Sequence, residues 1–382
     1  MQLQLPQPSA AAQDASQALV ALIADDIARR QGWISFARYM ELALYAPDLG
    51  YYSGGAAKLG KEGDFTTAPE LTLIFGATLA QFSIGLLAQT APAIMEFGAG
   101  TGKLAFDILS ELRLAGAPSV TYFIVEVSAQ LRARQQVTLR DFPQVQWLDS
   151  LPARFSGVVL GNEVLDAMPV HLVLRTAEGW LERGVAWSEQ GFVFEDRPAD
   201  VALIAQIPDA DDLPPGYLTE VHPLAIGFMQ SLADMLAAPD NRAAAIFFDY
   251  GFPAREYYLA QRNQGTLMCH YRHHAHPDPF YWPGLQDLTA HVDFTAMALA
   301  AAERGLEVLS YTSQAAFLLA AGAGDVLLRT DPEQAARYLP QANALQKLIS
   351  PAEMGELFKV LALGKNIDWP DALLPHDRSY RL

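Results

Sequence analysis

The sequence predicts an α/β fold built on a mostly parallel, doubly wound sheet. Three observations predict it. From residue 93 onward short apolar runs alternate with helical patterns: "AIMEF", "KLAFDILSELRLAG", "VTYFIVEV", "AQLRARQQVTLRDF". The first run ends in a glycine-rich turn, "EFGAGTGKL", that opens directly into a helical pattern. Of the 382 residues, 51% are hydrophobic and 18% charged, which is enough apolar matter for a large buried core.

The elements follow in order. Residues 1–16 are polar and rich in Pro and Ala, and are expected to form a loose tail. "ASQALVALIADDIARRQG" reads as an amphipathic helix closed by Gly32, and "ISFARYMELALYAP" as a short helix stopped by Pro47. "DLGYYSGGAAKLGKEGDFTTAPE" is a long loop, and long loops inside compact proteins are often functional. "LTLIFGATLAQFSIGLLAQ" returns to helix before the alternation begins. Within the alternation, Gly116 ends one helix and Ser128 caps the next, and "VQWL" and "SGVVLGNEV" are further strands. Turn signals at Glu178-Gly179 and Gln190-Gly191 divide 170–196 into antiparallel strands, and "PDADDLPPG" is an exposed loop. "HPLAIGFMQSLADMLAA" is a helix and "AAAIFFDYG" a buried strand. The remainder is mainly helical, with closing strands near "GLEVLSYTS" and "LFKVLALGK".

Composition excludes several classes of function. A net charge of −17 repels phosphate backbones, and no block of Lys and Arg offsets it, so no nucleic-acid partner is expected. Arg132, Arg134 and Arg140 read as a solvated helix face. Cys269 is the single cysteine, which forbids an internal disulfide and suits a reducing compartment. No long apolar run predicts a membrane span, and residues 1–24 lack Lys and Arg, unlike secretory or transit leaders. A cytoplasmic protein is the expectation, and a homodimer is compatible with the composition.

The glycine turn narrows the ligand. A dinucleotide fingerprint wants its third glycine five positions after the first, and Lys103 stands there. Here the pattern is E-x-G-x-G-x-G, from Glu96 through Gly98, Ala99, Gly100 and Thr101 to Gly102. That spacing fits S-adenosylmethionine better than NAD. The glycines let the backbone approach a ligand, and the following helix offers free N–H groups. An acid ending the next strand should hold the ribose hydroxyls, and Glu126, followed by Val127, is in that place. Leu148, in "WLDSL", ends the third strand, where residues could flank an adenine; Trp147 beside it fits equally well as ordinary core.

The fourth strand runs into "GNEVLDAMPV". Ligands in open parallel sheets bind at the carboxyl ends of strands, near the reversal of strand order. Asn162, Glu163 and Asp166 should gather there beside the sulfonium, with Asn162 and Glu163 expected to touch the cofactor, and Asp249 in "FFDYG" should end the next strand close by. Carboxylates at that place suit a cationic or amine acceptor. A capping role for Asp166 is an equal alternative. His270, His273, His274, His276 and His291 crowd one stretch, but no metal-ligand spacing occurs, so they are expected as loop residues, some lining the acceptor site, with no metal.

Taken together, "GYYSGG…GKEGDFTTAPE", "EFGAGTGKL", "GNEVLDAMPV", "FFDYG" and "GTLMCHYRHHAHPDPFYWPGLQDLTAHVDF" resemble the MidA-like family of class I S-adenosylmethionine-dependent methyltransferases. The resemblance runs from about residue 20 to about 365. It implies a Rossmann-like methyltransferase core and S-adenosyl-L-methionine as cofactor. It implies a cofactor-covering loop, with Thr67, Pro69 and Glu70 near the methionine end. The mitochondrial members are protein arginine methyltransferases that assist complex I assembly, so arginine in a protein is the implied acceptor. Glu163 is then the first choice to hold the guanidinium, with Asp166 or Asp249 second. The expected division is 1–69 as helical cap and covering loop, 70–260 as core with an insertion at about 170–220, and 261–382 as acceptor-side and C-terminal region. A small-molecule methyltransferase and a non-catalytic assembly factor that binds the cofactor are the alternatives.

Overall fold

The structure is a computed structural model, and it describes residues 5–54 and 67–382. The chain forms two compact units. The first comprises Met1–Phe65, Leu165–Gly227 and Ala254–Ala296; the second comprises Thr66–Val164, Phe228–Pro253 and Met297–Leu382.

The second unit holds the parallel sheet. Its strands, numbered along the chain, are β1 (Ala93–Phe97), β2 (Thr121–Val125), β3 (Val145–Leu148), β4 (Gly157–Asn162), β5 (Ala243–Phe252), β6 (Glu307–Ser313) and β7 (Phe358–Lys365). They lie side by side as β3-β2-β1-β4-β5-β7-β6. The pairs from β3 to β5 are parallel, and β7 runs antiparallel to both β5 and β6. The chain moves outward from β1 to β3 and then returns to place β4 on the other side of β1. That reversal leaves a crevice at the carboxyl ends of β1 and β4. The central strands are apolar on both faces because both are covered: Ile94, Leu160, Ile246 and Val360 on one face and Met95, Val159, Phe247 and Leu361 on the other are all buried. Leu104 and Ile108 of the helix Lys103–Leu114 and Phe75 of the helix Leu73–Leu87 join the same core. Each such side chain stabilises the fold by roughly 1.5–3 kcal/mol.

The first unit is antiparallel in its sheets. Trp33–Ser35, Trp180–Ser188, His171–Arg175 and Leu218–Val221 lie in that order, with Gly191–Pro198 also on Trp180–Ser188. Helices Ala10–Arg29 and Phe36–Tyr45 supply Leu19, Ile23, Ile27, Phe36 and Tyr39 to its core, together with Leu172 and Val185. A second small sheet orders His274–His276, Met268–Tyr271 and Asp287–Thr289.

Three expectations are corrected here. Residues 10–16 are helix, not tail: Ser9 accepts from the Ala12 N–H at 3.3 Å and starts the helix, which then runs on through three alanines. Ile34 and Ser35 are strand, paired with Val185 and Gly184, and Ser35 caps the helix from Phe36 by accepting from the Arg38 N–H at 3.1 Å. The β-branched Ile34 suits a strand, and a serine suits a cap more than a helix interior. The histidine stretch is not a loop but a hairpin, turned by Arg272 and His273 at φ 47° and 64°.

Candidate active site

The site is built from the carboxyl ends of the parallel strands. Glu96 on β1 is 3% exposed and accepts from the Tyr122 hydroxyl at 2.7 Å. Burial pushes its carboxyl up to about 7; the Tyr122 bond opposes that, and the nearby Glu126 adds to it. The chain then turns with Gly98, Gly100 and Gly102 at φ 63°, 52° and 82°, a left-handed path that costs other residues energy. Gly98 N–H donates to the Val125 carbonyl at 3.1 Å, which ties the turn to the end of β2. Gly102 is the N-cap of the helix Lys103–Leu114. Thr101 donates to Glu70, which sits on the short helix Ala68–Leu71 with Pro69 buried and Thr67 at its N-cap. Residues 63–66, the start of the expected covering segment, lie outside the described residues.

Glu126 follows β2. One carboxylate oxygen accepts from the Ser128 N–H and the other from the Gln135 amide, both at 2.9 Å. Burial raises its pKa against the pull of those bonds. Val127 is exposed and Leu148 half-buried at the ends of neighbouring strands. Trp147 donates its indole N–H to the Gln135 carbonyl at 2.9 Å.

At the end of β4 the backbone bends sharply. Glu163 has φ 53°, rare for a residue with a side chain. The bend is held by Glu163 N–H on the Phe248 carbonyl at 2.8 Å and Val164 N–H on Asp249 at 3.1 Å. The second Asp249 oxygen accepts from the Tyr250 N–H at 3.0 Å, and the residue is 1% exposed. The Asn162 amide donates to the Glu163 carboxylate at 3.0 Å. Its own carbonyl oxygen is buried with no hydrogen-bond partner in the structure. A methyl on Gly98 would touch Val164 at 3.4 Å, so the glycine turn and the Glu163 bend adjoin. Thus the structure brings Glu96, Gly98, Ala99, Gly100, Gly102, Glu126, Asn162, Glu163 and Asp249 to one end of one sheet. Asp166 belongs to the first unit, where it is buried. Among the described residues no three His, Cys, Asp or Glu gather as metal ligands. No described helix is long and apolar enough to cross a membrane.

The donor set fits S-adenosylmethionine. A glycine turn with no Cβ leaves backbone open to a ligand, the Glu126 carboxylate follows the neighbouring strand and can accept from a diol, and the Asn162 side-chain carbonyl is buried without a donor. Tyr122 and Gln135 were not singled out from sequence. A polar residue at 135, where the helical period from Leu131 to Leu139 calls for an apolar one, is the signal that marks Gln135.

Comparison with known proteins agrees with the geometry. Residues 78–312 match the family described as "Putative S-adenosyl-L-methionine-dependent methyltransferase". The chain is 30% identical to the Danio rerio protein named protein arginine methyltransferase NDUFAF7, mitochondrial, over 87% of this chain and 83% of that one. The Rattus norvegicus protein of the same name is 30% identical over 91% of this chain and 82% of its own. The crystal structure of a COG1565 superfamily member from Burkholderia thailandensis, bound to S-adenosyl-homocysteine, superposes with a TM-score of 0.93. It is 52% identical and covers 99% of this chain and 100% of its own. The chain therefore belongs to this family of methyltransferases, and S-adenosyl-L-methionine is its methyl donor.

Proposed function

We propose that the chain methylates an arginine guanidinium in a protein substrate, with Glu163 holding the guanidinium. The observation that carries this reading is the strained Glu163 itself, at φ 53° beside the glycine turn. Strain of that kind persists where surrounding bonds over-determine it, and it clusters at working residues. The relatives named protein arginine methyltransferases support the choice of acceptor.

Bound S-adenosylmethionine supplies a methyl group on a positively charged sulfur, and its displacement breaks the C–S bond with the electron pair going to sulfur. The guanidinium is planar and offers paired N–H donors, so a carboxylate is its natural partner. Glu163 accepting from two of those donors draws electron density onto the remaining nitrogen, which forms the new N–C bond and then loses one proton. Asn162 orients Glu163 through the 3.0 Å amide bond. Asp249 accepts the Val164 and Tyr250 backbone N–H groups, one on each oxygen, and so positions the bend. Asp166 or Asp249 remains the second choice for the guanidinium. On the cofactor side, Glu126 takes the ribose diol, Val127 and Leu148 flank the adenine, and the turn from Glu96 to Gly102 faces the methionine and ribose. Thr67, Pro69 and Glu70 serve its methionine end. The single cysteine, buried Cys269, accords with a reducing compartment such as the cytoplasm.

The test is incubation of the purified protein with methyl-labelled donor and a cell lysate, then acid hydrolysis of the protein fraction. Label in methylarginine is expected. Label confined to small molecules, or to other amino acids, would contradict the acceptor.

A further inference from the structure

One side chain joins all three parts of the cofactor side. Gln135 lies on the helix Ala129–Thr138 and is fully buried, at 0% exposure. Its amide nitrogen donates to the Gly100 carbonyl at 3.0 Å and to the Glu126 carboxylate at 2.9 Å. Its carbonyl accepts from the Trp147 indole at 2.9 Å. The glycine turn after β1, the acid after β2 and the aromatic on β3 thus meet on one amide.

The chemistry of the partners fixes how that amide points. A carboxylate and a backbone carbonyl can only accept, and an indole N–H can only donate. The nitrogen must face Gly100 and Glu126, and the oxygen must face Trp147. No rotation of the amide satisfies them otherwise. The approach is also close: a methyl on Gly102 would meet the Gln135 Cα at 3.4 Å and its Cγ at 3.5 Å. Thr138, one turn along, donates to the Thr101 carbonyl at 2.9 Å and seats the same helix on the same turn.

We propose that Gln135 is a positioning residue for S-adenosylmethionine: its amide sets the Glu126 carboxylate so that an acceptor lone pair stays aimed at the ribose diol. Ser128 N–H and Gln135 each take one acceptor site, one per oxygen, and the Val127 N–H takes a third. An ionised carboxylate has about four such sites, so one stays available for a ribose hydroxyl. The amide also holds the Gly100 carbonyl, which keeps the turn in its left-handed path beside the ribose. A hydrocarbon at 135 fills the space but frees both. The proposal rests on the reading of Glu126 as the ribose ligand.

Gln135→Glu is the informative variant. It is nearly isosteric and can still accept from Trp147. Ionised, it sets a second carboxylate against Glu126 and offers no donor. Protonated, it can donate to Glu126 as the amide does. Affinity for S-adenosylhomocysteine, measured by calorimetry, is expected to fall about tenfold or more at pH 8 relative to wild type. The ratio to wild type should recover as the pH is lowered toward 6. Gln135→Leu should lose affinity by a similar factor at both pH values. Melting curves without ligand check that each variant folds. A loss in Gln135→Glu that is the same at both pH values would assign Gln135 a packing role only and overturn the proposal, as would unchanged affinity. Glu126→Ala, tested with S-adenosylhomocysteine and its 2′-deoxy analogue, separates the two readings. Loss of preference for the ribose form upholds Glu126 as the ribose ligand, so a failure of the Gln135 variants then counts against Gln135 alone. Unchanged preference would sink the Glu126 reading itself.

Discussion

Glu96 shows how much a single buried acid can govern. Its carboxyl ionises near 7 in the fold against an ordinary value of 4.5. The folded protein therefore binds a proton that the unfolded chain releases, and stability is lost as the pH climbs between those values. Below 4.5 the contribution is fully present; above 7 it is gone, a difference of about 3 kcal/mol. Glu96→Gln keeps an acceptor for Tyr122 and removes the titration. Urea midpoints at pH 5 and pH 8 should show wild type losing stability more steeply than the variant. Parallel pH profiles for the two proteins would show that the carboxyl does not hold its proton. Neither this acid's environment nor its Tyr122 partner was legible in the sequence, because a glutamate preceding a glycine turn carries no mark of its burial. Gln135 escaped notice for a related reason. A glutamine in a polar helix is ordinary until the three groups around it are known, and those lie 35, 9 and 12 residues away in the chain.

At the scale of elements, the parallel strands and their helices were readable because each local signal agreed with the fold. Glycine turn, Ser128 cap and apolar strand all point the same way. Ser128 is the cap of the helix that carries Gln135, accepting from the Leu131 N–H at 3.2 Å. Ser128→Ala should cost about 1 kcal/mol in a denaturant titration. Gly102→Ala should cost more, roughly 1–2 kcal/mol, because a methyl there must adopt φ 82° against the Gln135 backbone. If Gly102→Ala proves as stable as wild type, the left-handed turn is not what holds this helix start. Elements whose local signals conflict were misread. Pro6 and Pro8 suggested a tail, yet the helix begins immediately after them at Ala10. Ile34 and Ser35 continue an apolar helical pattern, and only pairing with the strand at Gly184 and Val185 decides their state.

The whole molecule divides into two units that the linear chain interleaves, which no local pattern announces. The residues proposed to hold the cofactor at the ends of β1 to β4 belong to the second unit. S-adenosylhomocysteine at a hundred times its Kd should therefore raise stability by about 2.7 kcal/mol, and Glu126→Ala at the same ligand concentration should lose most of that gain. Equal protection of both proteins would place the ligand elsewhere. The central claim is that Glu163 serves the acceptor and not the fold or the cofactor. The measurement that tests it most directly is the rate of methyl transfer to arginine by Glu163→Gln, taken beside its affinity for S-adenosylhomocysteine on the same sample. The account predicts a rate lowered about a hundredfold, since a misplaced acceptor costs that much, with cofactor-product affinity near wild type. An undiminished rate, or a rate and affinity that fall together, would contradict it.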